Sequence, residues 1–205
     1  MKENILNTAV DLFLNYGFKS VTMDDIANTQ GISKKTIYQY FKNKTVLVEA
    51  SVNHLFQTIS GGINGICSLQ KNPIDEIYEI KNFLMRNLKD EKSSPQYQLE
   101  KYYPKIYKEV KHKQMCVMQE CIRENLKRGQ LSGLFRNNLN LEFVTKIYFT
   151  CMMALKDKAL FPLEHFSMQE LMDNYTEYHL QGICTSKGLE YLNNYLEINQ
   201  QTINK

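Results

Sequence analysis

Apolar residues near the start of the chain recur three and four positions apart, the spacing of one face of a helix. Ile5, Leu6, Ala9, Val10 and Phe13 follow it, and Gly17 stands just past the run, where helices commonly end. Thr22 and Asp25 read as a capping box, with Asp in the place of the usual Glu or Gln. They open a short helix carrying Ile26 and Ala27, which Gly31 breaks. Ser33 caps the next short helix, which holds Ile37 and ends near Tyr40. Asn43 caps a longer one, predicted from Lys44 to about Ser60, where Gly61 and Gly62 interrupt the pattern and mark a joint.

Every later segment also reads as helix. Asn72-Pro73 starts one, with Asp75 and Glu76 in its first turn, running to about Lys89. Ser94-Pro95 begins a short one that Pro104 ends. A long helix is predicted from about Lys105 to Arg128, stopping at Gly129. Asn140 caps another through Phe143, Ile147, Cys151 and Leu155. Ser167 and Glu170 form a second capping box before Leu171, Met172 and Tyr175. Gly182 and Gly188 punctuate the last region, where Leu189, Leu192 and Leu196 mark a final helix. No segment reads as a strand. The expectation is an all-α chain: a three-helix unit in residues 1–50 and a helical body in residues 51–205, joined by the Lys44 helix.

Composition agrees with that picture. Nine Gly and four Pro are too few for the frequent turns of a sheet-rich fold. With 43% hydrophobic and 23% charged residues the chain is of the globular class. The five cysteines are odd in number and include no C-x-x-C pair, which predicts free thiols in a reducing compartment. Cys116 and Cys121 lie roughly 140° apart around one predicted helix, a poor arrangement for sharing a metal. The start Met1-Lys2-Glu3-Asn4 runs straight into an amphipathic pattern, so no signal peptide is expected. No stretch reaches the roughly 18 apolar residues of a membrane span. The expected location is the cytoplasm, away from membranes. His54, His112, His165 and His179 are scattered, with no metal-ligand spacing. No nucleophile–base set and no Gly-rich phosphate loop is present, so neither an enzyme nor a cofactor is expected.

The net charge of +3 is too small to argue for any partner, and the placement of charge matters more. Residues 22–41 form two short helices about a glycine turn, which fits a helix-turn-helix. Ile26, Ile32 and Ile37 pack the second helix on the first, and Ala27 is small where the two cross. That packing leaves Lys34, Lys35, Thr36, Tyr38 and Gln39 at outward or end-on positions. From Ser33 to Lys44 there are four lysines and no acid. A basic helix start with hydroxyl and phenol donors is suited to phosphate contact and base-edge reading.

Gly-Phe-x-x-Val-Thr-Met-x-x-Ile-Ala (residues 17–27) and Gly-Ile-Ser-Lys-Lys-Thr-Ile-Tyr-Gln-Tyr-Phe-Lys-Asn-Lys (residues 31–44) resemble the TetR (tetracycline repressor-like) family. The resemblance is strong over residues 3 to about 55. It is weaker at Gln98-Leu-Glu-Lys-Tyr-Tyr-Pro104 and at Gly182-Ile-Cys-Thr-Ser-Lys-Gly-Leu-Glu190. It implies that the second helix enters the major groove of double-stranded DNA and that a homodimer binds a pseudo-palindromic operator. It further implies that a small molecule in the body controls DNA affinity. Carried over, Thr22 donates to a phosphate, and Ser33 caps the recognition helix and touches a phosphate. Lys34, Lys35 and Thr36 match base-reading positions, Gln39 lies beside them, Tyr38 and Tyr40 match aromatic phosphate contacts, and Lys44 matches a phosphate-binding lysine. Lys35 stands where many members carry a small residue, and Gln39-Tyr40 replaces the frequent Tyr-His. Both departures bear on the operator sequence and not on the fold.

The body is rich in Tyr, Phe and Met. Most of these are ordinary core. Phe83, Tyr102, Tyr103, Tyr107, Met115, Met118, Phe149 and Met152 are candidates for lining a cavity that takes a small apolar or amphipathic ligand. The segments 140–157 and 167–183 are apolar on more than one face, so each is either central to one monomer or meets a second subunit. The family resemblance favours a four-helix dimer interface. The expected mechanism is a repressor whose two recognition helices, roughly 34–36 Å apart, change spacing when ligand binds, with the Gly61-Gly62 joint as the motivation. The alternative is a helix-turn-helix regulator without a small-molecule ligand, governed by a protein partner or constitutive.

Overall fold

The computed structural model describes residues 1–88, 95–162 and 164–203. Among them the chain forms α1 (Lys2–Tyr16), α2 (Met23–Gln30), α3 (Lys34–Tyr40), α4 (Lys44–Ser68), α5 (Pro73–Leu88), α6 (Pro95–Tyr102), α7 (Pro104–Leu131), α8 (Leu141–Ala154), α9 (Met168–Ile183) and α10 (Ser186–Ile203). The fold is all-α. The β pairing among the described residues is one isolated antiparallel bridge between Phe135 and Cys184. The expected helix end at Lys89 and start at Ser94 lie outside the described residues.

Helix starts follow the sequence closely, because a cap is a local hydrogen bond. The Thr22 hydroxyl accepts from the Asp25 N–H at 3.2 Å, and the Asp25 carboxylate accepts from the Thr22 N–H at 2.8 Å. Ser167 and Glu170 repeat the arrangement at 3.2 and 3.0 Å. Asn43 and Asn140 each accept from an N–H three residues on, at 3.0 Å.

Helix ends depart from it. α4 runs unbroken through Gly61 and Gly62 to Ser68, so the expected interruption at those residues is corrected. Ile59, Ile63 and Ile66 continue the apolar spacing, and a glycine inside a helix costs only about 1 kcal/mol, which packing overrides. α7 likewise passes through Gly129 and ends at Leu131. There the ring of Phe135, itself fully buried, occupies the space a Cβ would need. The glycine permits close approach and does not stop the helix. Gly182 and Gly188 also lie inside α9 and α10.

The residues group into two compact units: Met1–Gly62 with Arg86–Met115, and Ile63–Met85 with Cys116–Lys205. The core of the first contains Ile5, Phe13, Ile26, Ile37, Phe41 and Leu47, joined by Leu99, Ile106, Tyr107 and Val110. The core of the second gathers Ile74, Leu126, Phe135, Tyr148, Leu180 and Leu192 among others. Within it Glu76 is buried with Arg128 at 2.5 Å and Asn125 at 2.7 Å. Lys81, also buried, pairs with Asp173.

Candidate nucleic-acid interface

Three short-range devices set the geometry of the first unit's exposed helix. Gly31 adopts φ 65°, a left-handed conformation that favours glycine. The N–H of Ile32 donates to the Ala27 carbonyl at 3.0 Å, and that of Gly31 to the Asn28 carbonyl at 3.1 Å, which completes a Schellman turn. Ser33 then caps α3, accepting from the Thr36 N–H at 3.1 Å, with the two hydroxyls 2.8 Å apart. Ile37 points inward and is fully buried. A helix of seven residues with its apolar side so anchored must turn its other side outward.

That outward side carries the expected residues. Lys34, Lys35, Tyr38, Gln39 and Tyr40 are exposed, and Thr36 is half-buried beside its cap. The Lys34 ammonium lies 2.7 Å from the Asp24 carboxylate at the start of α2. Hydrogen bonding to Asp24 raises the Lys34 pKa above the ordinary lysine value. Thr22 is engaged in its own cap: its hydroxyl donates to the Asp25 carboxylate at 2.8 Å. The Asp25 carboxyl is held below its usual range, first by the Thr22 N–H and then by that hydroxyl. Lys44, at the head of α4, is half-buried and donates to the Lys19 carbonyl at 3.2 Å. Burial lowers its pKa, while nearby Asp25 acts in the opposite direction.

Lys19 is a neighbour that sequence reasoning missed. Its ammonium lies 5.3 Å from the centre of the Tyr102 ring, and its N–H donates to Gln98 at 3.1 Å. The partners stand about eighty positions apart in the chain, so no local pattern marks the contact. In chemical terms the surface presents ammonium groups, an amide and phenols, all donors suited to phosphate oxygens and to the acceptors of base edges.

These residues fall within a stretch whose sequence has known counterparts. Residues 5–51 match the family model described as bacterial regulatory proteins, tetR family. Over that stretch the chain is similar to the TetR family. Among curated proteins it is similar to the biofilm operon icaADBC HTH-type negative transcriptional regulator IcaR of Staphylococcus aureus (strain Newman). The two are 32% identical over 83 residues, a match that spans 38% of this chain and 42% of the relative. The Staphylococcus epidermidis protein of the same description is 34% identical over 56 residues, spanning 27% of this chain and 30% of that one. The chain thus matches less than half the length of these relatives. Solved structures of similar fold cover far more of it. The regulatory protein TetR from Rhodobacter sphaeroides aligns with a TM-score of 0.70 at 12% identity, over 88% of this chain and 97% of that one. The fatty acid degradation regulator FadR from Bacillus halodurans aligns with a TM-score of 0.67 at 18% identity, over 89% and 99%. At such identities the likeness is one of fold.

The eight residues proposed from sequence to line a cavity are divided between the two units. Tyr102, Tyr103, Tyr107 and Met115 belong to the first. Tyr107 is buried in that unit's core, and Tyr103 meets Phe18 edge-on at 6.3 Å. Tyr102 is exposed, with the ammonium groups of Lys19 and Lys101 over its ring. Phe83, Met118, Phe149 and Met152 belong to the second unit, the last two buried. That unit also holds a cluster absent from the sequence reading. His179 is buried edge-on to Tyr148, ring centres 4.7 Å apart, and 6.0 Å from Tyr175. Burial pushes the His179 pKa down to about 4. Among the described residues no group of His, Cys, Asp and Glu is placed to hold a metal ion, and no helix is long and apolar enough to cross a membrane.

Proposed function

We propose that this chain is a sequence-specific DNA-binding transcriptional regulator of the cytoplasm that acts as a homodimer on a pseudo-palindromic operator. The observation that carries the reading is α3 itself, capped by Ser33 and anchored by Ile37, with Lys34, Lys35, Tyr38, Gln39 and Tyr40 outward. Lys34, Lys35, Thr36 and Gln39 would read base edges. Thr22, Ser33, Tyr38, Tyr40 and Lys44 would hold phosphates. Residues 1–50 would form the DNA-binding domain and residues 51–205 the regulatory and dimerisation domain. Exposed Phe143 and Ile147 on α8 and Tyr178 on α9 support a second copy as the partner of those helices.

The regulator is proposed to be a repressor released by a small molecule. Phe83, Met118, Phe149 and Met152 would supply apolar contacts in the second unit, with the buried Nε2 of His179 as a polar handle. The Gly61-Gly62 joint no longer supports a change of spacing, since α4 is continuous there.

The test is binding to the DNA upstream of the protein's own coding region across a salt series, for the wild type and for Lys35→Ala and Tyr40→Ala. Tight wild-type binding, with a slope of log affinity on log salt reduced by about one on loss of a lysine–phosphate contact, is expected if Lys35 also touches the backbone. If Lys35 reads bases alone, the slope stays and discrimination between operator and scrambled DNA falls. Binding that is sequence-blind and indifferent to both substitutions would refute the assignment.

A further inference from the structure

The thiols of Cys67 and Cys121 lie within hydrogen-bonding reach of each other, although 54 positions separate them in the chain. One stands in the last turn of α4 and the other in the middle of α7, both in the second compact unit. The contact is framed on one side of α7. Cys121, Asn125 and Arg128 follow each other at helical spacing and so share a face. Asn125 donates to the Pro73 carbonyl at 3.0 Å and to Glu76 at 2.7 Å. Arg128 donates to the Lys71 carbonyl at 2.8 Å and to Glu76 at 2.5 Å. Four hydrogen bonds therefore fasten this face of α7 to the chain that leaves α4 and begins α5. Cys121, one turn before Asn125, is thereby held opposite Cys67.

We propose that Cys67 and Cys121 are a hydroperoxide-reactive thiol pair that closes to an intramolecular disulfide. Both are half-buried, open enough for a small peroxide yet not on the open surface, where Cys116 stands. Two sulfurs within hydrogen-bonding reach of each other would have to close to the bonded distance of about 2.05 Å. Cys67 is the attacking sulfur. It accepts a hydrogen bond from Cys121, which lowers its pKa, and Arg128 acts in the same direction against burial and Glu76. Cys121 is raised by that same hydrogen bond and by burial, and it resolves the intermediate.

The Cys67 sulfur attacks one oxygen of the hydroperoxide and the O–O bond breaks. The departing alkoxide takes the Cys67 proton and leaves as an alcohol, with Cys67 now a sulfenic acid. The Cys121 sulfur then attacks the Cys67 sulfur, the S–O bond breaks, and the hydroxide leaves with the Cys121 proton as water. Two thiols lose two electrons, and the hydroperoxide gains them as one alcohol and one water. The bond formed would tie the last turn of α4 to α7.

The experiment treats the full chain with one equivalent of hydrogen peroxide, alkylates the remaining thiols and maps the peptides. The wild type is expected to lose two of its five thiols, to yield a peptide pair joined through Cys67 and Cys121, and to recover both thiols with dithiothreitol. Cys116→Ser should leave that result unchanged. Cys121→Ser should stop at a sulfenic acid on Cys67, trapped by dimedone. The proposal is overturned if Cys116 is oxidised while Cys67 and Cys121 stay alkylatable, or if the disulfides found join separate chains. The wild-type map decides the matter even where a variant folds poorly.

Discussion

Lys34 and Asp24 hold each other across the start of the two short helices, and the pair sets what Lys34 has available for DNA. An exposed ion pair contributes little to stability, since water competes for both partners. It matters for recognition, because a carboxylate beside a basic helix repels phosphate and occupies the ammonium. Asp24→Asn should therefore strengthen operator binding, and it should steepen the salt dependence by about one unit of slope if the freed Lys34 reaches a phosphate as well as a base edge. Titrations at several salt concentrations check this, and an unchanged slope would mean that Lys34 stays clear of the phosphates. His179 offers a test in the body. Its folded pKa of about 4 lies below the 6.5 of an unperturbed histidine, so the unfolded chain takes a proton that the folded chain refuses. Its contribution is whole above about 6.5 and is lost as pH falls toward about 4, by about 3 kcal/mol in all. His179→Phe keeps an aromatic ring against Tyr148 and Tyr175 and removes the titration. Its urea midpoint should fall less than that of the wild type between pH 7 and pH 4.5, and equal falls would contradict the assignment.

Helices begin where a side chain within three residues can cap them, as at Thr22, Ser33, Asn43, Asn140 and Ser167. They end where packing permits, and two glycines separate these causes. At Gly61 a Cβ would meet nothing within 4 Å, and the residue is mid-helix. Gly61→Ala should stabilise the protein by about 0.5–1 kcal/mol, the helix-propensity difference. At Gly129 a Cβ would strike the buried ring of Phe135, so Gly129→Ala should destabilise by about 1–3 kcal/mol through overpacking. Thermal melts of the two variants should shift in opposite directions. A rise in both would show that propensity alone governs these sites.

Assembly is decided by the surface that folding leaves uncovered. Phe143, Ile147 and Tyr178 remain exposed after the second unit has buried its core. Phe143→Asp with Tyr178→Asp should yield a monomer by sedimentation while the circular dichroism of the helices stays as in the wild type. Loss of operator affinity should accompany it, since two half-sites are then no longer read together. A double variant that still sediments as a dimer would place the partner elsewhere.

The helical class, the helix-turn-helix and its outward face were legible in the order of residues alone. Caps, the Gly31 turn and the Ile26–Ile37 spacing act over a few positions, and such forces are written locally. The Cys67–Cys121 contact, the Glu76–Arg128 pair and the division of the tyrosines from Phe149 and Met152 were not. Each joins residues tens of positions apart, and periodicity tells which face of a helix is buried without naming what it is buried against. Tyr103 and Tyr107 show the difference: their spacing marks an inward face, and only the packing of α6 and α7 with Phe18 makes that face part of the first unit's core. Local hydrogen bonds thus set the elements in advance, while the close packing of distant side chains decided how those elements share their cores.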